Sequence, residues 1–125
     1  MSHKVRHKIV RKAWGSEEWI VNNPYYCGKK MILKQGWRCS LHYHKIKHET
    51  FYIMFGRVFM EYDGQRMILE AGDSLAIEPG KKHRFTGLRD SIMMEFSTTH
   101  DDLDVYRDTE SGFVGLSECN VMPSE

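Results

Sequence analysis

The sequence predicts an all-β sandwich or barrel, and three observations support this prediction. Short stretches rich in β-branched and aromatic residues recur along the chain, with Gly and Pro between them. The dipeptide Asp63-Gly64 separates two such stretches and is the strongest short-range hairpin signal in the chain. No convincing amphipathic helix of ten or more residues is found. We therefore expect strands joined by tight turns.

The first third of the chain predicts an edge strand or arm followed by two further strands. Lys4–Val10 is polar and alternating, so residues 1–12 are expected to form an edge strand or a loosely held arm. A turn between two large aromatic residues is predicted over Trp14–Trp19. Short strands are then expected at Glu18–Asn22 and Tyr26–Lys34.

The rest of the chain predicts a series of short strands and then a less regular end. Strands are expected at Glu49–Phe55, Val58–Tyr62, Gln65–Leu69, Ser74–Ile77, His83–Thr86 and Ser91–Ser97. His100–Arg107 has acidic residues near its start, which favours a helical turn. Residues 111–125 have little periodicity and are expected to form a tail or a strand added to a partner.

Length and composition indicate one domain over residues 1–125. The formal net charge of +1 gives no electrostatic reason to expect nucleic acid or an anionic membrane as a partner. No run approaches the ~20 apolar residues of a membrane span. The start of the chain lacks the apolar segment of a secretory signal, and the three cysteines form no CxxC pair. We therefore predict a cytoplasmic protein with reduced thiols.

Two histidines and a glutamate lie at fixed offsets within residues 36–56. His42 and His44 are two residues apart, so an extended chain projects both from one face. Glu49 begins the next predicted strand, and neighbouring strands lie about 5 Å apart, so its carboxylate can reach both imidazoles. His83 is available as a fourth ligand. This set predicts a site for one divalent transition metal: Mn, Fe, Co, Ni or Zn.

These offsets resemble the two sequence motifs of the cupin family. The stretch Gly36-x5-His42-x-His44-x4-Glu49-x6-Gly56 is similar to the first motif without a mismatch. The second motif is represented by Gly72, Asp73, Pro79, Gly80 and His83, with Pro79 one residue late and Gly87 where many cupins have Asn. The resemblance covers a metal-site core at residues 36–87. It implies the cupin double-stranded β-helix, a jelly-roll barrel, with the four ligands named above.

Within the cupins, the chain resembles small single-domain relatives of the C-terminal domain of phosphomannose isomerases. The similar stretches are Trp14–Glu17, Tyr26–Lys29, Ser40–His44, Glu49–Tyr52 and Ser97–Asp102. This resemblance implies chemistry on a sugar or a sugar phosphate, so a small molecule of that class is the expected ligand.

A six-coordinate metal with these four ligands keeps two open positions. Two neighbouring sugar oxygens could occupy them, which suits isomerisation or epimerisation of an aldose or ketose through an enediol. The same positions could instead hold O2 and a substrate in a dioxygenase. A third possibility is a cupin that binds a sugar without turning it over. The resemblance favours the isomerase.

Candidate catalytic and substrate-binding residues lie in the predicted strands. Glu95 is a carboxylate in an otherwise apolar strand, where it is costly unless paired or functional, so it is the first candidate base. Lys30 and Lys34 could act as an acid or hold a phosphate at the barrel mouth. Tyr52 and Tyr62 are further candidates for contacting substrate. Each of these side chains could instead face solvent or serve packing.

The strand Phe51–Phe55 carries apolar or aromatic residues on both faces. A jelly roll of this size cannot bury both faces of such a strand by itself, which favours a homodimer through one sheet. A monomer with a mostly buried core is the alternative.

Overall fold

The computed structural model describes residues 3–115, and its regular elements are β-strands. They are β1 (Lys8–Lys12), β2 (Gly15–Asn22), β3 (Cys27–Leu33), β4 (Trp37–Arg38), β5 (His42–Tyr43), β6 (Glu49–Phe55), β7 (Arg57–Tyr62), β8 (Gln65–Glu70), β9 (Ser74–Ile77), β10 (His83–Gly87), β11 (Ser91–Ser97), β12 (Tyr106–Arg107) and β13 (Gly112–Phe113). The predicted all-β class is confirmed.

The strands form two antiparallel sheets in a jelly roll. The first sheet has the order β1-β2-β3-β11-β6-β9. The second is centred on β10, which pairs with β7 and also with the two short strands β4 and β5. β8 extends this sheet beyond β7, while β12 pairs with β5 and β13 pairs with β4. The jelly-roll architecture expected from the cupin resemblance is therefore confirmed.

The hydrophobic core lies between the two sheets, because alternate residues of each strand point inward. Met31 and Ile53 enter the core from the first sheet, and Met60 and Phe85 enter from the second. Trp14 meets the Phe85 ring edge-to-face, with centroids 5.1 Å apart. Each such buried side chain stabilises the fold by about 1.5–3 kcal/mol relative to an exposed one. This core holds the two sheets together around the functional residues.

The predicted hairpin at Asp63-Gly64 is confirmed. Tyr62 and Gln65 are register partners on either side of the two-residue turn. Both turn residues have positive φ, 51° for Asp63 and 80° for Gly64, as a type I′ turn requires.

The edge strand expected in the first third of the chain is present, but it spans Lys8–Lys12 rather than Lys4–Val10. The turn expected after it is wrong. The turn lies at Ala13–Trp14, and Gly15–Asn22 is a continuous strand, whereas a turn was expected over Trp14–Trp19. The glycine at 15 has φ 150°, and an added Cβ would lie 1.8 Å from the Ile32 carbonyl oxygen. The chain can therefore turn tightly before this glycine and then pair closely with β3.

The helical turn expected at His100–Arg107 is also wrong. Tyr106–Arg107 is a strand paired with β5. The acidic residues Asp101 and Asp104 precede this strand. Their carboxylates accept hydrogen bonds from the N–H groups of Leu103 and of the loop at 45–47, respectively, so they do not start a helix. At the start of the expected tail, Gly112–Phe113 pairs with β4; residues 116–125 lie outside the described part of the chain.

The outer face of the first sheet exposes several apolar side chains. They include Ile32, Tyr52, Met54, Phe55 and Phe96, which are 38–60% exposed. The homodimer predicted from the sequence would use this face, and it stays a prediction. Within residues 3–115, no helix is long and apolar enough to cross a membrane.

A comparison of two glycine substitutions tests the packing of this fold. Gly56 and Gly64 both have positive φ, but only at Gly56 would a Cβ meet other atoms, 2.2 Å from Ser91 Oγ and 2.6 Å from the Asp90 carbonyl oxygen. We expect Gly64→Ala to lower the free energy of unfolding by about 1–2 kcal/mol, the cost of a left-handed Ala. Gly56→Ala should cost at least about 2 kcal/mol more, because of overpacking. Urea unfolding measures both, and equal losses would contradict this packing.

Candidate metal centre and cavity

Three histidines converge at one end of the space between the sheets. His42 begins β5 and His83 begins β10, and the two residues are direct register partners. His44 follows two positions after His42, on the same side of the chain. One ring nitrogen from each of the three imidazoles lies within 4.8 Å of the others. This is the spacing that three ligands of a single metal ion need.

Each of these imidazoles is oriented by a backbone carbonyl. The hydrogen bonds are His42 Nδ1 to Ser40 O at 2.7 Å, His44 Nδ1 to Asp104 O at 2.7 Å, and His83 Nδ1 to Lys81 O at 3.0 Å. Because a carbonyl oxygen only accepts, each Nδ1 carries the proton. In a neutral imidazole held this way, Nε2 presents a lone pair, as metal-binding imidazoles do.

Glu49 brings a carboxylate to the same point from the first sheet. Its Oε2 lies 3.2 Å from Nε2 of His44 and 3.2 Å from Nε2 of His83. Neither Glu49 Oε2 nor His83 Nε2 has a partner in hydrogen-bond geometry, although both atoms are buried. Lone pairs that face one another in a buried place are costly unless a cation lies between them. The four residues therefore fit a bound divalent transition metal.

The protonation states of these groups also suit a metal. Burial, and then the neighbouring His83, lower the pKa of His42 to about 3, so this imidazole is neutral. Burial alone would raise the pKa of Glu49, but His44, His83 and Lys47 hold it well below the usual value. A metal binds neutral imidazoles and ionised carboxylates, and His42 and Glu49 meet these two requirements at neutral pH.

A buried ion pair lies beside the metal ligands. Lys47 Nζ is 2.6 Å from Glu95 Oε2 and 3.6 Å from Glu49 Oε1. Burial and the charge of Glu49 raise the pKa of Glu95 against the opposing effect of Lys47. Burial lowers the pKa of Lys47, but Glu95 and Glu49 outweigh it, so the pKa is raised and the ammonium form is retained.

His100 links Lys47 to the edge of the cavity. Its Nδ1 is 3.0 Å from Lys47 Nζ, and its Nε2 is 2.7 Å from Asp102 Oδ1. Burial, and then Lys47, lower the pKa of His100 to about 4. The neutral ring thus accepts from the ammonium and donates to the carboxylate.

A second buried pair lies further along the first sheet. Lys29 Nζ is 3.4 Å from Glu17 Oε1, which also accepts a 2.9 Å hydrogen bond from Trp19 Nε1. The same ammonium lies 4.3 Å from the centre of the Trp19 ring. Burial alone would raise the pKa of Glu17, but Lys29 and Lys12 lower it overall.

These groups line one cavity of about 420 Å³, together with the metal ligands His42, His44 and Glu49. Glu95 lines it as well. The other four candidates do not lie among its described lining residues: Lys30, Lys34, Tyr52 and Tyr62.

Strand alternation explains why three of these candidates lie elsewhere. Lys29 shares the inner face of β3 with Met31, so Lys30 projects to the outer face, and Lys34 is exposed beyond the strand end. Tyr52 is 38% exposed, next to the buried Phe51. The structure thus places Lys30 and Lys34 away from the barrel mouth where they were expected, and it places Tyr52 outside the described cavity wall.

Tyr62 is placed differently from the other three candidates. It packs against the core, and its hydroxyl accepts a 3.3 Å hydrogen bond from the Glu78 N–H. These contacts account for its ring and its hydroxyl, so the structure gives Tyr62 a packing role outside the described cavity wall.

Sequence reasoning missed Lys29 and Lys47. Both could have been found from their spacing, because residues two positions apart in an extended chain share a face. Lys29 lies two positions before the apolar Met31, and Lys47 lies two positions before Glu49. A lysine on an apolar strand face indicates a buried, paired ammonium.

Asp104 was also missed, and it holds the loop that carries Lys47. Its carboxylate accepts backbone hydrogen bonds from Lys45, Ile46 and Lys47 at 2.8, 3.1 and 3.0 Å. Its carbonyl oxygen accepts the bond from His44 described above. Asp104 lies 60 positions from His44, so no local pattern could have found it.

The family model described as "Cupin domain" matches residues 29–101. The chain is 28% identical over 117 residues to the D-lyxose ketol-isomerase of Cohnella laeviribosi, covering 70% of this chain and 64% of that protein. It is also 28% identical over 117 residues to the D-lyxose/D-mannose isomerase of Thermosediminibacter oceani, covering 70% of this chain and 65% of that protein. The chain thus spans just under two thirds of the length of these relatives.

A solved structure supports the fold. An RmlC-like cupin from Shewanella frigidimarina superposes with a TM-score of 0.72 at 18% identity, covering 82% of this chain and 95% of that one. The narrower likeness to phosphomannose isomerases stays a prediction.

Substitution of Asp104 tests its role in holding the loop. We expect Asp104→Asn to lower the free energy of unfolding by about 2–3 kcal/mol, because an amide NH2 cannot accept and would face the loop N–H groups. Asp101→Asn is the control, since the Asp101 side chain makes one local bond, to Leu103 N–H, that Asn can replace. It should cost less than about 0.5 kcal/mol. Chemical denaturation of both variants at pH 7 measures these changes. An Asp104→Asn variant as stable as the wild type would refute the assignment.

Proposed function

The chain belongs to the cupin family, and we propose that it is a metal-dependent sugar isomerase. The observation that carries the proposal is a carbonyl-oriented three-histidine cluster with Glu49, placed beside the Lys47–Glu95 pair in one cavity. The similarity to two D-lyxose isomerases, one of which is also named for D-mannose, supports a sugar as the substrate. The activity of those longer relatives comes to this chain only as part of the proposal.

His42, His44, Glu49 and His83 would hold one divalent transition metal. When bound, the metal polarises the neighbouring carbonyl and hydroxyl oxygens of an aldose or ketose. The choice between aldose–ketose isomerisation and epimerisation depends on which carbon receives the proton back.

Glu95 is the proposed base. Its Oε2 accepts hydrogen bonds from Lys47 at 2.6 Å and from Ser97 at 2.9 Å, and the described residues place none on Oε1. In the aldose, this carboxylate would take the proton from C2 and return it to C1. Burial and Glu49 raise its pKa, which strengthens it as a base for a weakly acidic C–H proton.

Lys47 is the proposed proton donor at the sugar oxygens. A proton must leave the C2 hydroxyl and reach the C1 oxygen while the carbon proton is transferred. The ammonium lies between Glu95 and Glu49, so it can donate a hydrogen bond to an oxygen near the metal ligands and stabilise charge there. His100 and Asp102 hold the ammonium from its other side.

Metal content tests the site directly. Untagged protein incubated with Mn, Fe, Co, Ni or Zn should retain about one ion per chain by elemental mass spectrometry. His83→Ala should bind that metal more than about tenfold more weakly, because a buried ligand is lost. His48→Ala is the control, since His48 is exposed next to Glu49. Protein that stays free of every metal, with the wild-type fold, would rule out the proposal.

Substitution of Glu95 separates catalysis from metal binding. We expect Glu95→Gln to lower kcat for D-lyxose or D-mannose at least about 100-fold, as loss of a general base does. Its metal content should match the wild type, and exchange of the C2 proton with D2O should fall with kcat. Glu78→Gln, at an exposed position, should leave both unchanged. Wild-type turnover by Glu95→Gln would remove Glu95 as the base, and oxygen uptake without isomerisation would indicate a dioxygenase.

A further inference from the structure

The proposed mechanism leaves the buried carboxylate of Glu17 without a role. This residue lies on β2, is 8% exposed and lines the cavity. Burial alone would raise the pKa of Glu17, but Lys29 and then Lys12 lower it overall, so the carboxylate is ionised at neutral pH. The cavity wall thus holds a negatively charged acceptor in addition to the metal ligand Glu49 and the proposed base Glu95.

One oxygen of the Glu17 carboxylate is fixed, and the other is open. Oε1 accepts a 2.9 Å hydrogen bond from Trp19 Nε1 and lies 3.4 Å from Lys29 Nζ. The described residues place no donor on Oε2. An ionised oxygen in a buried wall is costly unless it accepts a hydrogen bond. Oε2 is therefore available to accept a hydrogen bond from a molecule in the cavity.

The Trp19 indole that fixes Oε1 is itself held on several sides. Lys8 Nζ lies 4.5 Å from the ring centre and Lys29 Nζ lies 4.3 Å from it. The His100 ring meets the indole edge-to-face, with centroids 5.1 Å apart. These contacts stabilise one orientation of the ring. The acceptor at Glu17 is therefore preorganised, which lowers the cost of binding a partner there.

Glu17 lies further from the metal ligands than the proposed base does. Glu49 is aligned with the residue two positions after Glu95 on β11. Glu95 is aligned with Trp19 through their shared partner Lys29. Glu17 precedes Trp19 by two positions on the same face, so it lies one step further away from Glu49 along the sheet.

The distance between the two glutamates suits the two ends of one sugar. The usual strand spacing and rise put the Cα of Glu17 about 12 Å from that of Glu95. An extended six-carbon chain is about 6 Å long between its end carbons. The two side chains account for the rest of the distance, so their carboxylates can reach opposite ends of the chain.

We infer that Glu17 is a specificity-determining residue whose Oε2 accepts a hydrogen bond from the hydroxyl on the sugar carbon farthest from the carbonyl. This inference rests on the proposed function, because it places the carbonyl end at the metal ligands. A hydroxyl can donate to Oε2 and accept from the Lys29 ammonium at the same time. A methyl group in its place would leave both charged groups without that partner. The subsite therefore selects a terminal hydroxyl over a deoxy end.

Two sugars that differ only at this hydroxyl test the inference. D-mannose has a hydroxyl at C6, and 6-deoxy-D-mannose has a methyl group there. Calorimetric titration of each into metal-loaded protein should show D-mannose binding about tenfold or more tightly, because hydrogen bonds to charged groups are stronger than neutral ones. This comparison uses the wild-type protein, so it does not depend on the folding of a variant.

Matched variants locate the acceptor. Glu17→Gln should reduce the preference for D-mannose at least about fivefold, because the acceptor loses its charge. Trp19→Phe keeps a ring but removes the N–H that fixes Oε1, so it should reduce the preference by a smaller factor. Glu18→Gln is the control, since Glu18 pairs with His7 and is not among the described lining residues. It should leave the preference unchanged, and thermal unfolding checks that each variant retains the fold.

The outcomes separate the inference from the proposed function. Equal affinities for the two sugars, or a Glu17→Gln variant with the wild-type preference, would overturn the subsite. Isomerisation of D-mannose would still support the isomerase in that case. A preference that Glu17→Gln removes, in protein that turns over neither sugar, would support the subsite and contradict the isomerase. Metal-loaded protein that binds neither sugar would overturn both.

Discussion

The candidate metal site depends on three hydrogen bonds from imidazole Nδ1–H groups to backbone carbonyls. The acceptors Ser40, Lys81 and Asp104 all lie outside the strands, where carbonyls are not used by the sheet ladder. Cys39–Leu41 interrupts the strand between β4 and β5, and this break frees the Ser40 carbonyl beside His42. The irregular segments of the barrel therefore fix the tautomers, while the regular strands fix the positions of the rings.

The ionisable groups around this site stabilise one another, and each would destabilise the fold if its partner were removed. Glu49, Lys47, Glu95 and Lys29 are only 2–3% exposed. A buried charge without its partner would cost several kcal/mol, and a well-packed apolar set would be as stable or more so. Packing alone thus gives no reason for two lysines and two glutamates in the wall of a cavity. Their arrangement next to the histidine cluster is the one that the proposed proton transfer requires.

The alternation of side chains between the two faces of a strand determined which parts of the site the sequence could predict. His42, His44 and Glu49 were brought together by offsets of two and five residues and one strand spacing, and the structure places them at one point with His83. Side chains also alternate along β3. Sequence reasoning chose Lys30 as a candidate, but Lys30 lies on the outer face of β3, and Lys29 is the lysine on its inner face.

Contacts between distant segments set the limit of sequence reasoning. Asp104 binds the loop at 45–47, and β12 pairs with β5, across more than 50 positions of chain. The fold class needed only local periodicity and turn chemistry, which are visible in the sequence. The turn at Ala13–Trp14 was missed because the adjacent strand is defined by its pairing with β3, in particular by the close approach of Gly15 to Ile32.

The barrel packs the residues of the candidate site more tightly than those of its edge strands. The metal ligands and the Lys47–Glu95 pair lie on strands, or on a loop held by Asp104, that are packed from both sides. A change of one atom there disturbs several partners. Lys8, Lys12 and Arg107 lie on edge strands with neighbours on one side only, so their side chains can change with little effect on the fold. The candidate site is therefore fixed by packing, whereas side chains on the edge strands can vary with little cost to the fold.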